Sequence, residues 1–115
     1  MTMRVNIEDT DEDYNGLLHE GVPYTGEVVE IGREGNLISS YHYYSGVADG
    51  PYSEWYGRDR PYKQGTIKFG LLVGVNRQWH PNGQLAVETE YDDMGRQLYR
   101  REWDENGVLT HEYVA

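Results

Sequence analysis

Histidines are the residues of this sequence best suited to chemistry near neutral pH, because an imidazole can move a proton or ligate a metal. The four of them, His19, His42, His80 and His111, are scattered along the chain without partners at metal-ligand spacing. His80 lies beside a predicted turn and His111 in the last predicted strand. We therefore interpret them as surface or cross-strand residues, and we predict no metal site and no cofactor.

Carboxylates are the other candidates for acid–base chemistry. A catalytic pair needs one carboxyl set apart in an apolar pocket that raises its pKa. Glu88 and Glu90 alternate along a strand, and Asp92 and Asp93 have turn spacing, which is typical of a solvated face. The sequence also lacks a glycine-rich phosphate loop followed by a helix, and it lacks a nucleophile elbow. These patterns predict a protein that is not an enzyme.

The acidic balance of the chain limits its partners. Twenty acidic residues against ten basic ones give a formal net charge of −10 over 115 residues. Such a field repels nucleic acid and anionic membranes and favours a basic protein partner. Alternatively, the charge only keeps a sheet-rich protein in solution. Cysteine is absent, which excludes disulfides and thiolate sites, and the N-terminus has no apolar run that suits a signal peptide, so we expect a cytoplasmic protein.

The elements that must position these side chains are strands, and the pattern is clearest in WHPNGQLAVETEY at residues 79–91. Its Asn82-Gly83 pair supplies the positive φ angles of a hairpin turn. Beyond the turn the side chains alternate between two faces, one with Leu85, Val87, Thr89 and Tyr91 and the other with Ala86, Glu88 and Glu90. That two-residue period predicts a half-buried strand.

This hairpin recurs every 24 residues. The first-strand column consists of Ile31, Trp55, Trp79 and Trp103, and the leucine and turn columns keep the same register. Four units over residues 21–115 predict an all-β fold: a single-layer antiparallel meander of repeated hairpins in one twisted or curled sheet. Residues 1–20 form an acidic N-terminal segment with a capping strand, or a disordered one. Pro61 predicts a distorted or bulged strand in the second unit.

Carrying the alternation across the turns assigns two faces to the sheet. The tryptophan column shares an apolar face with Leu85 and Val87, and this face must be hidden by curling, by a homodimer or by a partner. The opposite face collects acids, and exposed tyrosines beside carboxylates suit a basic partner, although ordinary cross-strand packing explains them equally well. The predicted partner-binding residues are Tyr44, Tyr52, Glu54, Tyr56, Tyr62, Glu88, Glu90, Asp92, Glu102 and Glu112.

With this pattern the chain resembles MORN-type repeat proteins of the bacterial variant, and it is most similar to the YwqK-type antitoxins. The resemblance covers about residues 21–113. It is carried by GVPYTG at 21–26, GVADGPY at 46–52, WHPNGQL at 79–85 and WDENGVL at 103–109. The second unit departs from the family pattern, because Arg58-Asp59-Arg60-Pro61 replaces an Asn-Gly-x-Leu turn, and Leu98 replaces a junction glycine.

The resemblance implies an immunity protein of a polymorphic toxin system that binds and neutralises a cognate toxin. Many such toxins act on nucleic acid and have basic clefts, which an acidic β face could occupy. The alternative that the resemblance leaves open is a MORN-repeat scaffold for protein assembly or membrane association. The net charge of −10 disfavours the membrane version. A weaker alternative is carbohydrate binding on the tyrosines.

Overall fold

Strands make up most of the protein, as the two-residue alternation predicts. The computed structural model describes residues 3–115, and its one helical element is a 3-10 turn at Ile7–Asp9. The strands are β1 Arg4–Asn6, β2 Thr10–Asp13, β3 Gly16–His19, β4 Val22–Pro23, β5 Gly26–Ile31, β6 Leu37–Tyr44, β7 Val47–Ala48, β8 Gly50–Gly57, β9 Arg60–Lys68, β10 Leu71–Trp79, β11 Leu85–Tyr91, β12 Gln97–Trp103 and β13 Leu109–Val114. Over residues 3–115, no helix has the length and apolar character needed to cross a membrane.

One large sheet contains nearly all of the repeat region. Its strand order is β1-β5-β6-β8-β9-β10-β11-β12-β13, and the short β7 pairs with β6. Every neighbouring pair from β5 onward is antiparallel, which confirms the all-β antiparallel meander. The exception is β1, which runs parallel to β5 with Val5 beside Val28.

The N-terminal segment folds into strands that cap the start of this sheet. Strands β2, β3 and β4 form a small antiparallel sheet of their own. The buried side chains of Leu17, Tyr24 and Val28 join the two sheets, with Val5 and Tyr43 packed against them. Backbone hydrogen bonds extend the junction, since Leu17 N donates to the carbonyl oxygen of Gly46 at 2.9 Å. Residues 4–6 of the N-terminal segment form β1, and the acidic run that follows lies in the 3-10 turn and in β2.

Successive turns lie at opposite ends of the strands, so that two strands and two turns make one 24-residue period. The tryptophan-side turns, as we call them, lie at residues 32–36, 58–59, 80–84 and 104–108. The opposite turns lie at residues 45–46, 69–70 and 92–96. In three tryptophan-side turns a glycine adopts positive φ, 82° at Gly35, 90° at Gly83 and 83° at Gly107. A side chain there would be strained, which explains the glycine column.

The second hairpin departs from its neighbours, as Pro61 predicts. Its turn has only two residues, Arg58 and Asp59, with Asp59 at a φ of 58°. The pairing of β8 with β9 is irregular on both sides of Trp55, which lies opposite Pro61. Proline has no N–H for the ladder, so the irregularity falls where a hydrogen bond cannot form.

The sheet is a single layer and stays open to solvent. Its accessible surface is 7627 Å², against about 6,500 Å² for a typical monomer of this mass. The radius of gyration is 15.8 Å, whereas a compact chain of this length has about 13 Å. No large side chain in residues 3–115 is less than 2% exposed. Stability therefore rests on the ladders and on cross-strand pairs more than on a thick core.

Candidate functional site

The register of the strands decides which side chains share a face, because directly opposed residues of an antiparallel pair point the same way. One row of opposed residues runs across four strands as Arg77, Glu88, Arg101 and Glu112. We call the face that carries this row the ladder face. The other row across the same strands is Gln78, Val87, Glu102 and His111. We call its side the tyrosine face, since Tyr41 and Tyr52 lie on it.

The predicted assignment of faces is wrong around the tryptophan column. Trp79 lines a hollow together with Val75 and Arg77, and Arg77 lies opposite Glu88, so Trp79 is on the ladder face with the acids. Val87 lies opposite Gln78 on the other side. The cause is a bulge at the hairpin end: Gln78 pairs with Val87 and Trp79 with Leu85, so Ala86 is an extra residue in β11. One extra residue in a strand shifts the alternation by one position, which strict counting across the turn does not foresee.

Two stacked tyrosines form the centre of the tyrosine face. The rings of Tyr41 and Tyr52 are 5.3 Å apart and nearly parallel, at 9°. The Tyr41 hydroxyl donates to the Glu54 carboxylate, and the Tyr52 hydroxyl donates to Oδ1 of Asn76 at 2.7 Å. Burial raises the pKa of Tyr41, and the nearby Glu54 carboxylate raises it further. This phenol is therefore a hydrogen-bond donor at neutral pH and has no character of a base.

Asn76 fills an irregularity between β9 and β10. Between the pairs Val73–Thr66 and Arg77–Gln64, β10 has three residues and β9 has only Gly65. The buried Asn76 side chain donates to the carbonyl oxygens of Val73 at 3.1 Å and Gly74 at 3.3 Å. A Cβ on Gly65 would lie 1.8 Å from Oδ1 of Asn76. The amide thus replaces ladder bonds that the bulge removes.

The ladder face is held by alternating charges. The Nε atom of Arg77 is 2.8 Å from Oε2 of Glu88, and Nε of Arg101 is 2.8 Å from Oε2 of Glu112. The Tyr99 hydroxyl donates to Oε1 of Glu88 at 2.9 Å, and the Arg101 guanidinium lies 4.5 Å from the centre of the Tyr99 ring. The hydrogen bond from Arg77, helped by that from Tyr99, lowers the pKa of Glu88. Glu88 is therefore ionised and already paired.

The remaining predicted residues lie mostly at the ends of strands, near the turns. The rings of Tyr56 and Tyr62 are 4.8 Å apart beside the tryptophan-side turns, and the Tyr56 hydroxyl donates to the carbonyl oxygen of Trp79 at 2.8 Å. Tyr44 is 57% exposed at the start of an opposite turn. Oδ1 of Asp92 accepts the backbone N–H groups of Met94 and Arg96. These two hydrogen bonds lower the pKa of Asp92, that from Arg96 the more.

The structure thus does not bring the predicted partner-binding residues together on one face. Tyr52, Glu54 and Glu102 lie on the tyrosine face, Glu88, Glu90 and Glu112 on the ladder face, and Tyr44, Tyr56, Tyr62 and Asp92 near the turns. Glu54 lies opposite Lys63, and Glu102 is 3.3 Å from Arg100, so both have a cation nearby. A single acidic, tyrosine-containing face is therefore a wrong description of this sheet.

The acidic surplus lies elsewhere. Strands β5 to β13 carry seven acids, Glu27, Glu30, Glu54, Glu88, Glu90, Glu102 and Glu112, against six bases, Arg60, Lys63, Lys68, Arg77, Arg100 and Arg101. Residues 1–20 hold six acids and one base, which is half of the net charge of −10. The rest of the surplus lies in the turns, with Glu34, Asp49, Asp59, Asp92, Asp93, Asp104 and Glu105 against Arg33, Arg58 and Arg96.

A hollow on the ladder face is a concavity that no pattern in the sequence predicts. It encloses about 350 Å³ between β8, β9 and β10. Trp79, Val75 and Arg77 of β10 line it together with polar side chains such as Gln64 and Thr66 of β9. Gly65 and Val75, which also line it, belong to the irregular stretch of the β9–β10 pairing, and no motif in the sequence marks that stretch. Among residues 3–115, no group of three His, Asp or Glu side chains could hold a metal ion.

Comparison with known proteins identifies no family. No protein-family model and no curated protein matches the chain. Among solved structures it is similar to a mutant of S. aureus TarM in complex with Fondaparinux, alpha-GlcNAc-glycerol and UDP, with a TM-score of 0.44, 13% identity, 94% of this chain covered and 20% of that chain. A second crystal structure of TarM gives the same TM-score and coverage at 14% identity. This chain spans about a fifth of those proteins, and at this TM-score the likeness supports no conclusion.

Proposed function

We propose that this chain is a protein-binding module, an immunity protein that binds and neutralises a cognate toxin domain in the cytoplasm and is not itself an enzyme. The observation that carries the proposal is the open single-layer sheet. Its accessible surface of 7627 Å² exceeds that of a typical monomer by about 1,100 Å². A standard protein–protein interface covers about 800 Å² on each partner, so the sheet has ample area for one.

Charge supports a basic partner. The surplus of acids lies in the N-terminal segment and in the turns, around a sheet whose strands are nearly balanced. In this arrangement the acidic N-terminal segment and turns attract a basic surface from a distance, while the less charged sheet contacts it. Clefts that bind nucleic acid are basic, so a nuclease or another enzyme acting on nucleic acid fits this description of the toxin.

The contact surface that we propose differs from the acidic face expected from the sequence. Exposed or half-buried aromatic side chains, among them Tyr44, Tyr56 and Trp79, are suited to bury area against a partner. Glu88 already pairs with Arg77 and accepts the Tyr99 hydroxyl, so it contributes less to a partner than an unpaired carboxylate would.

Co-purification with the product of the adjacent gene tests the proposal. We expect a complex with a dissociation constant of about 1 μM or tighter, and loss of the toxin's activity on addition of this chain. Vesicles containing phosphatidylserine provide the control, and we expect no binding to them because both surfaces are negative. The proposal fails if the neighbouring product has no toxic activity, or if it retains that activity in the presence of excess chain. Binding to the vesicles would instead support the membrane scaffold.

A further inference from the structure

The two edges of the large sheet are finished differently. At the N-terminal edge, β5 is covered by β1, and the small sheet of β2, β3 and β4 packs beside it. At the other edge, within residues 3–115, β13 pairs only with β12. All six residues of β13 are exposed, and Leu109 to Val114 contain neither the lysine nor the proline with which proteins commonly protect an edge strand.

The regular part of β13 directs two backbone N–H groups away from β12. The N–H of Ala115 donates to the carbonyl oxygen of Leu98 at 2.8 Å, which fixes the side to which odd-numbered residues direct their N–H groups. Because these groups alternate along a regular strand, Glu112 and Val114 direct theirs away from β12. The alternation does not extend to Thr110, which is the extra residue between the pairs Glu102–His111 and Trp103–Leu109. An additional strand can therefore pair with β13 without any change in the β12–β13 ladder.

The charge row of the ladder face ends at this edge. It alternates as Arg77, Glu88, Arg101 and Glu112 over four strands. Glu88 has an arginine opposite it on each side, whereas Glu112 has Arg101 on one side and the open edge on the other. The Glu112 side chain remains 47% exposed and uses Oε2 for Arg101. If the alternation of charges continued onto an added strand, the residue opposite Glu112 would be a cation.

We propose that β13 is the docking edge for an extended strand of a basic partner, which pairs antiparallel to β13 and places a lysine or arginine opposite Glu112. The inference deepens the proposed function, on which it rests, by naming how the partner is held. The main-chain hydrogen bonds provide affinity, and the cation opposite Glu112 provides selectivity. The apolar Val114 on the same face would contact a second side chain of the strand, two residues from the cation.

A second copy of this chain does not fit the edge. In a symmetric antiparallel pair of β13 strands, opposed residues come from the same face, so Glu112 would meet Glu112 or Val114. Neither of these is a cation, and one of the registers brings two carboxylates together. Each copy also carries a net charge of −10, which opposes the approach.

Two labelled heptapeptides of alternating threonine and valine, one with lysine and one with glutamate at the central position, test the edge by fluorescence anisotropy with the full chain. We expect the lysine peptide to bind about three- to tenfold more tightly, and the Glu112→Lys variant to reverse that preference. Glu90→Lys is the matched control, because Glu90 lies on the same face in a strand paired on both sides. It should keep the preference of the wild type.

Proline at an outward position separates edge pairing from other modes of binding. Val114→Pro removes an outward N–H, and we expect at least tenfold weaker binding of both peptides with the sheet retained in circular dichroism. Val114→Thr is its control, since it keeps the N–H and the β-branched shape of the side chain. Equal affinities of the two peptides for the wild type, no binding of either up to about 1 mM, or a dimer that Val114→Pro dissociates would each overturn the inference. If Val114→Pro still neutralised a toxin, the edge would be excluded while the immunity function stood; a peptide preference without any toxin partner would mean the reverse.

Discussion

A buried asparagine maintains the middle of the sheet. Asn76 accepts the hydroxyl of Tyr52 and donates to two carbonyl oxygens of its own strand, so every polar atom of its side chain has a partner. Burial of an amide is tolerated only under that condition. Gly65 is the residue that makes room for it. One small residue and one amide thus replace the regular ladder at the point where β10 bulges.

Gly65→Ala tests this arrangement. We expect the variant to lose about 1–3 kcal/mol of stability, because the new methyl group would overlap Oδ1 of Asn76 and displace the amide from its buried hydrogen bonds. The measurement is the free energy of unfolding in urea. Gly57→Ala serves as the control, since a Cβ at Gly57 meets no atom within 4 Å. Equal effects of the two substitutions would contradict the role of Asn76.

The carboxylate of Glu88 links stability to pH. Its pKa is lowered in the folded protein by the hydrogen bonds from Arg77 and Tyr99. The resulting stabilisation is present above the unfolded-state pKa of about 4.3 and is lost as the pH falls through the folded-state value. We therefore expect Glu88→Gln to reduce the difference in melting temperature between pH 7 and about pH 3.5, with Glu90→Gln as the control. An unchanged difference in Glu88→Gln would contradict this assignment.

At the scale of elements, side chains of one tryptophan-side turn bind the backbone of the next. Tyr56 donates to the carbonyl oxygen of Trp79 at 2.8 Å, and Nε2 of His80 lies 2.8 Å from that of Trp103. The side-chain amide of Asn82 donates to Glu105 at 2.9 Å. These contacts join residues about one repeat apart. They give the 24-residue period a physical meaning, since each turn supports its neighbour.

Tyr56→Phe removes one of these contacts and keeps the ring. We expect a loss of about 1 kcal/mol, the net contribution of a typical hydrogen bond, seen as a lower melting temperature. Tyr44→Phe is the matched control, because the exposed Tyr44 hydroxyl makes no side-chain hydrogen bond among residues 3–115. If both variants had the same melting temperature, support between neighbouring turns would be ruled out at this position.

At the scale of the whole molecule, charge is distributed unevenly over an open sheet. The described part of the N-terminal segment presents its acids on β2 and the 3-10 turn, where Asp11, Glu12 and Asp13 are exposed. The strands of the large sheet, by contrast, are close to electrically balanced. A basic partner would therefore be attracted first toward one end of the molecule and toward its turns.

Neutralising β2 tests this distribution. With Asp11→Asn, Glu12→Gln and Asp13→Asn combined, we expect association with the cognate toxin to slow by about three- to tenfold at low salt, while the dissociation rate stays the same. Asn at position 13 keeps the oxygen that accepts the N–H of Asn15. Above about 0.5 M salt the rates of variant and wild type should converge. A change in the dissociation rate alone would show direct contact instead of steering.

The sequence predicts the hairpins, their 24-residue period and the irregular second unit because each depends on local chemistry. Alternation, Asn-Gly turns and a proline without an N–H act over a few residues, and the structure has strands at these places. The assignment of faces is different, since one bulged residue reverses it for the rest of a strand. Ala86 carries no sequence signal of the bulge that it forms in β11, so alternation counted from Leu85 predicts Glu88 and Trp79 on opposite sides.

By itself, then, the sequence determined the elements, their order and the net charge of −10, all of which follow from composition and short-range pattern. Only the tertiary structure decided which carboxylates are paired, because Arg77 and Glu88 meet across two strands in a register that turns and bulges set. It also decided that, within residues 3–115, β13 pairs on one side only while β5 is paired on both. Long-range pairing of this kind depends on the whole sheet, and no single stretch of residues encodes it.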